Sequence, residues 1–166
     1  MQYAAYHRDR RNIATHFIGI PLIVFAIGVL LARVPVAGAT AAWLVWALAA
    51  AWYVTRGNLV LGLATSIVNG VLIALAHPLA AVPTTSWLAW GIGAFVVGWT
   101  FQFVGHYYEG RKPAFADDLV GLLVGPMFVV AEWLFAAGWG QEMLRQIEAR
   151  VGPTHIRELA APKTDR

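Results

Sequence analysis

"YHRDRRNIATHFIGIP", Tyr6 to Pro21, holds two histidines, three arginines between them and the start of a long apolar run. A helix that only enters a bilayer has no use for imidazoles at its mouth, because ionisable groups are costly there and mark functional sites. Their spacing constrains what they do. Nine residues of continuous helix turn through about 900° and rise about 13 Å, so His7 and His16 would face opposite sides of one straight helix. They can meet only if the helix begins between them. Asp9 is a suitable N-cap, which leaves His7 in a preceding segment able to fold back. Asn12 and His16, at i and i+4, share a face. Pro21 has no N–H for the Phe17 carbonyl, which frees a polar backbone group beside His16.

The rest of the chain explains where this stretch sits. Of 166 residues, 59% are hydrophobic and 13% charged, with no cysteine; a soluble domain carries about 25% charged residues. Apolar blocks at 16–33, 36–54, 59–77 and 87–106 each have about the twenty residues that cross a bilayer as a helix. The turn-like stretches "RVPVAG" (33–38), "TRGN" (55–58) and "HPLAAVPTTS" (77–86) separate them. A fifth block, 119–138, opens after the acidic "ADD" (116–118), is interrupted by Gly125-Pro126 and carries Glu132. Those features suit a re-entrant or interfacial helix better than a lipid-facing span. Arg8, Arg10, Arg11, Arg56, the "EGRKP" loop (109–113) and the tail residues Arg145, Arg150, Arg157, Lys163 and Arg166 all fall on one side with four spans, which makes both termini cytoplasmic.

The expected fold is therefore an all-α polytopic membrane helix bundle, four spanning helices plus a fifth re-entrant or interfacial helix. Residues 1–140 form one membrane-embedded catalytic domain, and 141–166 a polar helix with a disordered tail after Pro153. The first apolar run contains Pro21 and ends without a small-residue cleavage site, unlike a signal peptide. Without cysteine there is no disulfide framework and no thiolate ligand or nucleophile. A net charge of +3 is too small to call for nucleic acid; the expected partner is membrane lipid.

"FQFVGHYYEGRKP" (101–113) is the second polar cluster. Gln102, His106 and Glu109, at i, i+4 and i+7, lie within about 60° on one helical face. The i, i+3 spacing of His106 and Glu109 lets an imidazole and a carboxylate share a ligand, as in carboxylate metal sites of helical proteins. The spacing alone equally suits an interfacial histidine bonded to a glutamate, with Gln102 joining two helices. His77 ends the third block, with Asn69 about 80° away around the helix, and the expected topology puts it on the outer side, away from the other histidines. His155, in the tail, is given no role. Imidazoles and a carboxylate without thiolates suit iron, zinc, copper or manganese, and with open positions they point first to non-haem iron and oxygen chemistry.

"YHRDRRNIATHFIGIP", "AHP" (76–78) and "GWTFQFVGHYYEGRKPAFADDLVGLLVGPMFVVAEWLF" (98–135) resemble the membrane-bound 2-hydroxy fatty acid dioxygenases. The fungal member of that family acts in phytosphingosine breakdown to odd-chain fatty acids. The resemblance covers about residues 3–138 and includes the pattern Tyr-His-x4-Asn-x3-His. It implies an iron(II)-dependent enzyme of fatty acid α-oxidation, cleaving C1–C2 of a 2-hydroxy fatty acid with O2 to give CO2 and an acid one carbon shorter. The implied metal ligands are His7, His16, His77 and His106, with Asn12 beside them. Glu109 is the candidate catalytic carboxylate, either as a ligand or orienting His106. Arg111, Lys112 and Gln102 are candidates for the substrate, although "GRKP" also reads as a positive-inside loop. Desaturase-like di-iron proteins carry eight or more histidines in dense boxes, and this chain has five. A transporter or channel would show internal repeats or paired broken helices, and a single Gly-Pro break is present. The alanine- and arginine-rich, lysine-poor composition suggests a bacterial plasma membrane, or the endoplasmic reticulum if the source is eukaryotic.

Overall fold

The computed structural model describes residues 2–56, 58–112 and 120–159. Its order is α1 (Gln2–Ala5), α2 (Arg10–Leu31), β1 (Pro35–Val36), β2 (Ala39–Thr40), α3 (Ala41–Thr55), α4 (Leu59–Ala76), a 3-10 turn (His77–Ala81), α5 (Thr84–Glu109), α6 (Val120–Ala136) and α7 (Gln141–Val151). The fold is all-α, as expected, apart from one two-stranded ribbon. The "ADD" stretch, the first residue of the fifth block, Lys163 and Arg166 lie outside the described residues. Two compact units make up the chain: Gly19–Thr100, and Met1–Ile18 with Phe101–Arg166.

Among the described residues, three helices are long and apolar enough to cross a membrane: Arg10–Leu31, Leu59–Ala81 (α4 with its 3-10 turn) and Thr84–Glu109. The α6–α7 pair, bent by 116°, makes up to a fourth if it is one broken span. The apolar block at 36–54 yields a shorter helix than its length suggests. Ala37 and Gly38 both have positive φ (47° and 82°), the requirement for a tight two-residue hairpin turn, and they pair Pro35 with Thr40 and Val36 with Ala39. That ribbon leaves α3 with 15 residues, about 22 Å at 1.5 Å per residue against a hydrocarbon core of about 30 Å.

Within Gly19–Thr100, α3 and α4, which follow closely in sequence, pack against each other as a hairpin. Asn58 caps α4 by accepting the Leu61 N–H at 3.1 Å, and Trp46 Nε1 donates to the Ser66 carbonyl at 2.9 Å. Gly62 lets α4 pass beneath the end of α3, where a Cβ would lie 2.5 Å from the Tyr53 carbonyl oxygen. Arg33 secures the loop before α5 by donating to the Ala80 carbonyl (3.0 Å), the Thr84 hydroxyl (3.0 Å) and the Val82 carbonyl. Leu48, Leu63, Ile67, Val71 and Leu75 all point outward. Lipid accepts such a surface, whereas soluble monomers rarely expose apolar patches of this extent.

The other unit gathers α1, the first turns of α2, the last turns of α5, and α6 and α7. Helix α6 runs through the buried Gly125-Pro126 step, so that step does not break it. The break comes at 137–140, where Gly138 and Gly140 take φ values of 89° and 71°. Pro126 lacks the N–H that would bond the Leu122 carbonyl, a loss that membrane helices accommodate. Glu132, the odd charge of the fifth block, lies 3.9 Å from Arg8 Nη2. The disorder expected beyond Pro153 is not found at residues 154–159. His155 donates its N–H to the Arg8 carbonyl and accepts from the Arg10 N–H, both at 2.9 Å. The α1–α2 break leaves those backbone groups without helical partners, and the tail supplies them.

Candidate metal centre

The chain breaks between α1 and α2 at residues 6–9, the place the histidine spacing demands. Asp9 is the N-cap, and its Oδ1 accepts the Arg11 N–H at 2.8 Å. Its carboxylate also takes the Arg11 guanidinium (3.0 and 2.8 Å) and the Arg157 N–H (2.8 Å). Burial raises the Asp9 pKa, but these bonds from Arg11 and Arg157 outweigh it and hold the carboxyl at about 2. Glu109, the last residue of α5, closes the break from the other side. Both its oxygens accept the Arg8 N–H at 3.0 Å, and Oε2 also takes the Asp9 N–H at 2.8 Å and Asn12 Nδ2 at 3.0 Å. One carboxylate thereby satisfies two buried backbone donors that the break exposes.

That closure folds His7 onto the side of α2 that carries His16. His7, His16 and His106 are buried, and they offer one ring nitrogen each within 4.8 Å of one another. Their ring centroids are 4.5 Å (His7–His16), 5.0 Å (His7–His106) and 5.1 Å (His16–His106) apart. His7 Nδ1 donates to the Tyr3 carbonyl at 2.7 Å, and His16 Nδ1 donates to the Asn12 carbonyl at 2.9 Å. Carbonyls only accept, so both protons reside on Nδ1 and both Nε2 atoms present lone pairs. Those Nε2 atoms are 3.0 Å apart. Burial first, and then the neighbouring His16, push the His7 pKa well below the usual imidazole range. Tyr3 stacks on His7 at 4.2 Å and Phe128 lies 5.0 Å from it, forming an apolar wall.

Two lone pairs facing each other in a buried site repel unless a cation sits between them, and the donor set fits a metal ion. Ligating histidines usually donate the other ring N–H to a carbonyl or carboxylate, as His7 and His16 do here. With metal–nitrogen bonds of about 2.0–2.1 Å, a 3.0 Å separation corresponds to neighbouring positions on one ion, at roughly 90–100°. His106 Nδ1, Asn12 Oδ1 and Gln102 Nε2 are buried without hydrogen-bond partners among the described residues. Two of these atoms, on Asn12 and His106, belong to residues of the cluster, and such orphaned atoms are unusual in a native interior.

Of the residues singled out from sequence, His7, His16, His106, Asn12 and Glu109 come together. Asn12 bonds the Tyr6 carbonyl (3.1 Å) and Glu109 through Nδ2; both neighbours are acceptors, which fixes the amide orientation. Gln102 is buried one turn before His106. Arg111 and Lys112 line a cavity of about 490 Å³ with His106, Phe103, Tyr107 and Arg157. His77 belongs to the other unit, where its ring lies 6.3 Å from that of Trp43.

Three residues were not legible as parts of this site. Arg8 reads as a surface cation, yet it is buried, with Nε on the Ala4 and His7 carbonyls (2.9 and 3.0 Å) and Nη1 on the Gly152 carbonyl (3.1 Å). Gly105 allows α5 to touch α2: a Cβ there would collide with Thr15 Oγ1 and Asn12 Oδ1 and lie 3.2 Å from His16 Nδ1. Its signal was a glycine inside an apolar helix beside a polar cluster. Arg157, in the tail, had none.

A family described as 2-hydroxy-palmitic acid dioxygenase Mpo1-like matches residues 1–137, which takes in all three clustered histidines. The chain belongs to this family. It is also 32% identical over 150 residues, 88% of its own length and 83% of the relative's, to 2-hydroxy-palmitic acid dioxygenase MPO1 of Saccharomyces cerevisiae. No solved structure matches the chain.

Proposed function

We propose that this protein is an iron(II)-dependent dioxygenase that removes one carbon from 2-hydroxy fatty acids. The observation that carries the reading is the pair of buried Nε2 atoms 3.0 Å apart, both with Nδ1 committed to carbonyls, in a chain of the 2-hydroxy-palmitic acid dioxygenase family. The reaction balances without a further reductant: R–CHOH–COOH and O2 give R–COOH, CO2 and H2O. Four electrons leave the substrate and reduce one O2.

Iron(II), when bound, supplies the capacity to react with O2 that no side chain has. His7, His16 and His106 hold it, each as a neutral imidazole; His77 is carried by the family resemblance alone, and metal content after His77→Ala decides whether it is a fourth ligand. Glu109 and Asn12 keep the α1–α2 break closed so that His7 stays over His16. Tyr3 and Phe128 exclude water from the histidines. Arg111 and Lys112 take the substrate carboxylate, since guanidinium and ammonium groups make charge-assisted bonds to it. Phe103 and Tyr107, both exposed on α5, give the acyl chain an apolar surface that continues into lipid. The chemistry lies within residues 1–140, in a protein embedded in a bacterial plasma membrane with both termini cytoplasmic.

The test is direct. Purified anaerobically in detergent and loaded with iron(II), the protein should convert 2-hydroxypalmitate to pentadecanoate, consuming one O2 per CO2 released. Stoichiometric iron without turnover, or equal turnover with zinc, sinks the proposal.

A further inference from the structure

The cavity beside His106 has a cationic wall contributed partly from outside the region that the family match covers. Arg111 and Lys112 follow α5, but Arg157 comes from the tail, beyond residue 137 where the match ends. Its position is closely set. The Arg157 N–H donates to Asp9 Oδ2 at 2.8 Å, and its carbonyl accepts from Arg11 Nη2 at 2.7 Å. Nε donates to the Tyr108 carbonyl at 3.0 Å, and Nη2 reaches the Tyr107 carbonyl at 3.4 Å. Gly110, at φ 72°, makes room for the guanidinium: a Cβ there would lie 2.6 Å from Arg157 Cζ. The side chain is thus held over the end of α5, with Nη1 left without a partner among the described residues. Arg111, by contrast, has Nη1 on the Ala5 carbonyl at 2.7 Å.

We propose that Arg157 is a substrate-binding residue whose guanidinium joins Arg111 and Lys112 in taking the carboxylate of the 2-hydroxy acid in this cavity. This rests on the fatty-acid reading above and extends it to a residue of the tail. A pre-positioned guanidinium loses little freedom on binding a carboxylate, and His106 lines the same cavity, so a carboxylate held there lies beside one of the clustered histidines. The plainer role for Arg157 is to cap α5, whose last carbonyls favour a cation. The two roles differ in what a substrate without a carboxylate would feel.

The experiment uses the full-length, iron-loaded protein in detergent without O2, and compares binding of 2-hydroxypalmitate with that of 1,2-hexadecanediol. Wild type should prefer the acid. Arg157→Gln should weaken acid binding about 10–100-fold, the scale of one charge-assisted contact, and leave diol binding unchanged; with O2 restored, KM should rise while kcat stays within about twofold. Equal weakening for acid and diol, or none for either, overturns the proposal. If Arg157→Gln does not fold, Arg157→Lys decides: it keeps the charge without the fork and should lose part of the preference, whereas full preference overturns the idea. An acid preference that depends on Arg157 without any turnover refutes the dioxygenase reading and upholds Arg157. Turnover with an intact preference in Arg157→Gln does the reverse.

Discussion

Glu109→Gln removes one charge and almost no volume from the contact that closes the α1–α2 break. Oε2 receives the N–H groups of Arg8 (3.0 Å) and Asp9 (2.8 Å) and Asn12 Nδ2 (3.0 Å), while Oε1 receives Arg8 alone. A glutamine with its carbonyl in the Oε2 place keeps all three bonds but makes them neutral, and turns its NH2 towards the Arg8 N–H. Converting a charge-assisted bond to a neutral one costs about 1 kcal/mol. The three together come to about 3 kcal/mol, or about 100-fold in the equilibrium that closes the break. Because His7 reaches His16 only when the break is closed, iron affinity should fall by up to the same factor. Competition with a chelator series measures the affinity, and hydrogen exchange at Arg8 and Asp9 measures the closure; both should change together. Wild-type affinity with wild-type protection refutes the reasoning. Lost affinity with protected amides would instead make Glu109 a ligand.

Three other outcomes follow from the same geometry. Gly105→Ala forces α5 away from Thr15 and Asn12, an overpacking that costs about 1–3 kcal/mol; the thermal midpoint in detergent and the metal content should both drop, and an unchanged metal content contradicts the helix contact. Asp9 has a folded pKa of about 2 against a usual value of about 3.9, so its stabilisation is complete above about pH 4 and vanishes as the pH falls through 2. The difference in thermal midpoint between wild type and Asp9→Asn should therefore be full at pH 6 and shrink towards pH 2; a constant gap contradicts the ion pair. Ending the chain after Val151 removes the partners of the Arg8 carbonyl and the Arg10 N–H, so amide exchange at Arg10 should quicken at least tenfold, and unchanged exchange would show that the tail does not brace the break.

The histidine spacing was enough to demand a break near Asp9, because a helix has a fixed pitch and two residues half a turn out of phase cannot share one side. The common face of Gln102, His106 and Glu109 was legible for the same reason, but not what Glu109 does there: its partners are backbone N–H groups, which a sequence does not display. Arg8 looked like a cytoplasmic-facing cation because charge counting cannot tell that Glu132 and the Gly152 carbonyl await it. The tail was unreadable for a similar reason, since each of its contacts with residues 8–10 through Gly152, His155 and the Arg157 N–H uses the tail's main chain, which leaves no periodicity. The shortened α3 turned on two residues, Ala37 and Gly38, whose positive φ cut a ribbon out of an otherwise apolar block.

The claim on which all this depends is that His7, His16 and His106 bind one iron. X-ray absorption on the iron-loaded, detergent-purified chain measures it most directly, since imidazole rings scatter in a recognisable outer-shell pattern. The account predicts one iron per chain with three imidazole ligands, and oxygen donors in the remaining positions. Iron bound without imidazole scattering, or an identical spectrum after His7→Ala, would contradict it.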